Sequence, residues 1–316
     1  MTTETKIRKS LSDSNTLPAM ATVVSRLMNL VAEGAGAREV AQALSMDAAL
    51  SARVLKVANS SLYAISRSVK SVQQAVTLLG AEVVRNLALT FSVLDIFPLN
   101  SSKVFNYPRF WAFSLEVAVL SRMLAEKTDG VDPDETFTAG LLHNMGILFL
   151  ARTVPEEYSI CLDEAQKQGV PLHEMENRAI GIGHCEVGRA LAEAWGLPET
   201  IQQVAAHHHG ESVPESMEGA AAGICDTVIV AARLAHLLEV SDWQDVPDED
   251  LDLLLEGRPL DKADIRESMG GALEMVKTSA EAYGLSRLTQ AIQDSQYKTL
   301  DLERPRTFAN GEGQPR

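Results

Sequence analysis

Apolar residues recur at spacings of three and four along nearly the whole chain, and this repeat is what most limits its fold. In "MATVVSRLMNLV" (20–31), Val23, Leu27, Leu30 and Val31 share one helical face, the side expected to be buried. "MDAALSARVLKVANS" (46–60) starts after Asp47, a suitable helix cap, and turns Leu50, Val54, Leu55 and Ala58 inward. "SVQQAVTLLG" (71–80) runs from a serine cap to Gly80, and a further helix follows over 81–97. No segment alternates apolar and polar residues up to a hairpin turn, so no strands are expected. The fold class is therefore all-α.

Punctuation divides the helices. "PLNSSKVFNYPRF" (98–110) is polar, carries two prolines and reads as a connector. A long helix over 111–127 and a loop over 128–135 lead to the helix holding "FTAGLLHNMGIL" (137–148). Helical runs follow at 155–168, 172–181, 183–195, 198–208 and 216–239. After about residue 241 an acidic stretch precedes one long amphipathic helix from Asp261 and a shorter one near 285–297. Residues 1–15 read as a polar tail, and 301–316 hold too few apolar residues to pack, so disorder is expected there. There is no internal repeat.

Composition excludes some functions. With 28 basic against 43 acidic residues the formal charge is -15, which would repel a phosphate backbone, so nucleic acid is not an expected partner. No apolar run reaches the roughly 18–20 residues that span a bilayer. The polar N-terminus also lacks the core of a secretion signal. Cys161, Cys185 and Cys225 are scattered and odd in number, which fits free thiols in a reducing compartment. A cytoplasmic protein without membrane contact is expected.

Chemistry points to the histidines. His143, followed at once by Asn144, and His184, His207, His208 and His209 are the ones to weigh. A hydrolytic metal site needs imidazole and carboxylate ligands on rigid helices and an open position for water. Asn144 offers only a neutral carbonyl oxygen in place of a carboxylate. A single helical histidine is more often a hydrogen-bonded core or surface residue than a ligand. In "HHH" successive side chains diverge by about 100°, so the middle ring could face solvent while its neighbours point elsewhere. His173 and His236 have no supporting pattern and read as structural, and Cys185 reads as a buried thiol.

The order of these pieces resembles the HDOD family, the HD-related output domain of bacterial signalling proteins. The resemblance rests on "LP" at 17–18, "ALSARVLKVANSSLY" (49–63) and "SVQQAVTLLGAEVVRNLAL" (71–89). It continues through "FTAGLLHNMG" and "GHCEVGRALAEAWGLPETIQQVAAHHH" (183–209). It covers roughly residues 16–212 and implies an N-terminal helical bundle (16–97) packed on an HD-like bundle (108–212), with 213–300 as a helical extension completing the latter. Of the signature residues, Asn59 and Ser60 would end a helix and fix its turn. Gly80 would separate two helices, and Gly140 and Gly146 would allow close helix packing.

The HDOD fold is similar to that of HD phosphohydrolases, which carries their ligand positions onto this chain. The first falls on Phe113, the His-Asp pair on His143 and Asn144, and the late aspartate on Ala232. Asp226, six residues before Ala232, would face another way on a straight helix. His184, His207 and His208 fall where two-metal relatives hold a second ion, and would hold at most a stray divalent transition metal. The expectation is a non-catalytic regulatory protein with no cofactor, acting through protein–protein interaction with signalling partners. No receiver-like or cyclase-like segment is attached, so input would come from a separate protein. The alternatives are a metal-dependent phosphohydrolase acting on a nucleotide, or a module sensing a nucleotide second messenger. Nothing in the sequence sets the oligomeric state.

Overall fold

Every regular element among the described residues is an α-helix, and the ends follow local chemistry. The structure is a computed structural model that describes residues 1–13, 15–63, 65, 67–97, 104–210, 212–240, 242–286 and 288. In chain order α1 spans Thr3–Ser12, α2 Thr22–Ala32, α3 Ala37–Leu44, α4 Ala48–Ala58, α5 Val72–Leu79 and α6 Ala81–Ile96. The middle holds α7 (Tyr107–Ala125), α8 (Pro133–Leu142), α9 (Met145–Thr153), α10 (Pro155–Gln168) and α11 (Leu172–Ala179). Next come α12 (His184–Ala194), α13 (Glu199–His207), α14 (Gly219–Val240), α15 (Asp248–Leu255) and α16 (Lys262–Ala282). Asp47, Ser71 and Asp261 each accept a backbone N–H of the first turn they precede, satisfying a donor with no partner inside its own helix.

Helices α2 to α6 pack on one another, and α7 is the axis of a second bundle built from α8, α14 and α16, with α12 and α13 alongside. A helix that is apolar on every side must be covered on every side, and α7 buries Phe110, Trp111, Phe113, Leu115, Val117 and Leu120 among others. The bundles meet where α6 packs on α8. Polar bridges fix that seam: the Tyr63 hydroxyl donates to Asp134 at 3.1 Å, and Arg122 donates to the same oxygen at 3.0 Å. Tyr283, just past α16, stacks on Phe137 of α8 at 5.5 Å and meets Phe91 of α6 at 5.6 Å. The C-terminal part thus cements both bundles.

Several elements depart from the sequence expectation. Residues 1–15, expected as a polar tail, contain α1, which docks on α12 and α9 through fully buried Ile7 and an Arg8–Glu186 ion pair of 2.7 Å. Two apolar residues, Ile7 and Leu11, make too short a pattern to read. In α2 the inward residues are Val24, Leu27 and Met28, while Val23, Leu30 and Val31 are half-buried. In α4 it is Val57, not Leu55, that joins Leu50, Val54 and Ala58 in the core. Helix α7 begins at Tyr107, because Pro108 in a first turn gives up no intrahelical bond. Likewise α8 begins at Pro133 behind the Asp132 cap, inside the expected loop. The acidic stretch after 241 holds α15, which packs on α16. Contrary to the expectation that no stretch reaches membrane-spanning length, Gly219–Leu238 of α14 is long and apolar enough to cross one. Of its most apolar stretch, 67% is buried in the bundle, which accounts for its composition. The expected connector residues 98–103, the end of the short helix near 285–297 and the tail 301–316 lie outside the described residues.

Candidate functional site

His143 ends α8, and Asn144 opens α9 with φ -99° and ψ 18°, so the expected single helix is broken at the His-Asn pair. Both residues are buried. His143 Nδ1 lies 2.5 Å from the Gly140 carbonyl oxygen, which can only accept, so Nδ1 carries the proton and Nε2 the lone pair. The Asn144 amide nitrogen donates to that lone pair at 2.9 Å. The ring therefore spends on Asn144 the electron pair that a metal would need. The Phe113 ring packs against His143 at 6.1 Å, and Ala232 is buried on α14 without any donor atom.

A second group adjoins the first, for the His143 and His208 rings meet edge to face at 5.0 Å. His184 is the first residue of α12, and fully buried Glu176 reaches it from α11. One Glu176 oxygen accepts from the His184 backbone N–H at 2.7 Å and from its Nδ1 at 2.6 Å. The other accepts from the Tyr158 hydroxyl at 2.6 Å. The carboxylate thus caps a helix N-terminus and orients a ring in one act. Burial would lower the affinity of His184 for a proton, but Glu176 and then Cys185 outweigh it and hold the imidazole well above its usual range. The His184 Nε2 lies 3.3 Å from the Nε2 of His208 and 2.8 Å from that of His209. His208 Nδ1 faces the carbonyl oxygens of Val204 and Ala205, each at 3.1 Å. The Cys185 sulfur joins them: one ligand atom from each of His184, Cys185, His208 and His209 lies within 4.8 Å of the rest.

The sequence pattern of the HDOD domain matches residues 17–211, more than half of the chain. The chain belongs to the HDOD family. An HDOD domain protein of unknown function from Geobacter sulfurreducens superposes with a TM-score of 0.69 at 28% identity, covering 88% of this chain and 97% of that one. A Shewanella amazonensis protein, named as a candidate phosphohydrolase, gives a TM-score of 0.68 at 24% identity, covering 90% and 97%, and so shares the fold. An uncharacterised protein of Treponema pallidum is 25% identical over 179 residues, 56% of this chain; the chain spans 34% of that relative's length.

The HDOD signature residues sit at structural joints. Asn59 donates to the Leu55 and Val69 carbonyls and accepts from Val69 N–H, closing the loop after α4, and the Ser60 hydroxyl bonds the Val57 carbonyl. Gly80 takes φ +93°, open to glycine at no cost, where α5 and α6 turn by 117°. A Cβ on Gly140 would meet the Ser121 hydroxyl at 2.7 Å, and one on Gly146 would meet the His184 carbonyl oxygen at 2.0 Å. Gly146 therefore sets how closely α9 approaches the helix that carries His184.

Some of the site was misassigned from sequence. His207 is not in the group: it is half-buried, and burial and the charge of Arg189 both lower its pKa. His209 takes its place, and His208, the middle ring of "HHH", is buried rather than facing solvent, because α13 ends at His207 and the chain turns there. Cys185 is half-buried rather than buried, and its sulfur joins the group although adjacent helical positions diverge. His173, read as structural, packs against His209 with ring centroids 4.4 Å apart. Glu176 was missed altogether. Its signal was a glutamate on the inward face of α11, one turn after Leu172 and beside Met175. Asp226 is engaged elsewhere, in a two-oxygen bridge with Arg258.

Proposed function

We propose that this protein is a non-catalytic regulator in a signal-transduction pathway and acts by binding other proteins. The observation that carries it is the state of His143: Gly140 holds one ring nitrogen, Asn144 the other, and Phe113 covers the ring. A hydrolytic HD centre would need that lone pair and a carboxylate beside it. Membership of the HDOD family supports the signalling part. Free cysteines, with the Cys161 and Cys225 thiols pushed up to about 12 mainly by burial, support a reducing, cytoplasmic setting.

The test is a phosphodiesterase and phosphatase screen of the purified full chain with added divalent metals, paired with cross-linking in the source cell. No turnover and a specific protein partner are expected. Turnover abolished by His143→Ala, or no partner above background, overturns the proposal. A sensor of a nucleotide second messenger is the alternative that fits a binding protein, and calorimetric titration with cyclic dinucleotides separates it: heat without hydrolysis would favour it.

A further inference from the structure

Two of the clustered imidazoles have their tautomers set from outside. The Nδ1 atoms of His184 and His208 donate to a carboxylate and to backbone carbonyls, which leaves their Nε2 atoms facing each other across 3.3 Å. Two such nitrogens attract only with a cation, a proton or a metal ion, between them. The spacing fits one: Zn–N bonds of about 2.0–2.1 Å at a tetrahedral angle place two nitrogens about 3.3 Å apart. His209 brings a third Nε2 to 2.8 Å from that of His184, and the Cys185 sulfur completes a group whose ligand atoms lie within 4.8 Å of one another.

We propose that His184, Cys185, His208 and His209 form a four-coordinate site for a zinc-class divalent cation, with Glu176 as its orienting carboxylate. Three imidazoles and one thiolate suit zinc and exclude magnesium and calcium, which want oxygen ligands. Zinc binding would displace the proton of the Cys185 thiol and that of the His184 Nε2, and release both to solvent. Glu176 is built as such outer carboxylates are: buried, pinned by Tyr158 and bonded to the far nitrogen of a ligand ring. With all four positions filled by protein the ion has no place for a reactive water, so the site ties α12 to the end of α13 rather than hydrolysing anything. The metal-free alternative is a proton shared among the rings.

The experiment strips the full-length protein with a chelator, reloads it with zinc, desalts it and counts metal by mass spectrometry. A parallel cobalt loading reads thiolate-to-metal charge transfer. One zinc per chain is expected, with a melting temperature raised by zinc and a cobalt charge-transfer band that Cys185→Ser removes. The double variant Cys185→Ser, His209→Ala should lose affinity for zinc by about 10-fold or more. Both positions are half-buried and leave the Glu176–His184 contact intact, so the variant should fold, which circular dichroism checks. Failure of the wild-type chain to retain zinc, an unchanged affinity in the double variant, or cobalt loading without the charge-transfer band each overturns the proposal.

Discussion

His143 and His184 are both buried histidines at helix ends, linked through the ring of His208, yet they are wired in opposite senses. His143 gives its proton to a carbonyl and its lone pair to Asn144, so its polarity is used up within three residues of chain. His184 gives its outer nitrogen to Glu176 and turns the inner one toward two other imidazoles. The difference teaches that a buried histidine says little about metal binding until the partner of each nitrogen is known. An asparagine beside the ring, unlike an aspartate, adds a donor that occupies the neighbouring nitrogen.

The sharpest way to break this contrast is Glu176→Ala. It strips three buried donors of their acceptor, and should cost about 3–5 kcal/mol by urea unfolding. A cost near zero would mean that the His184 side is no better anchored than any core position. Gly146→Ala should come next, at about 3 kcal/mol, because its Cβ would collide with the backbone of α12. Gly140→Ala should cost less, since its nearest neighbour is a serine hydroxyl that can rotate; equal melting temperatures for the two would remove the special closeness of α9 and α12. Asn144→Asp replaces a donor by an acceptor facing a lone pair, for a loss of about 2 kcal/mol and no gain of hydrolysis. Measurable turnover from that change alone would show that Phe113 and Ala232 do not sit at lost ligand positions.

The smallest effect concerns Glu116, one turn along α7 from Phe113, whose carboxyl burial pushes up to about 7 against the pull of Arg109. Its folded pKa lies above the ordinary value of 4.5, so the folded state holds the proton more tightly. Stability from this group is present at low pH and is lost as pH rises from about 4.5 through about 7. For a half-buried group this amounts to about 1 kcal/mol after solvent screening. Glu116→Gln should flatten that part of the stability profile, and an unchanged profile would show the carboxyl to be solvated.

The all-α class, the caps at Asp47, Ser71 and Asp261, and most helix boundaries were legible in sequence because they arise from neighbours a few residues apart. That Phe113 and Ala232 carry no donor atom is likewise a matter of residue type. Tertiary structure alone decided the rest. The dock of α1 depends on Ile7, the one fully buried residue of the helix, meeting a surface made by α9 and α12. The choice of His209 over His207 depends on where α13 stops, since a ring's direction changes abruptly at a helix end. Glu176 acquires its role only when α11 folds back so that a carboxylate meets the start of α12. A repeat along the chain reports which faces are apolar. It carries no information on which polar atoms will be brought within 3 Å of one another, because that distance is set by packing across helices.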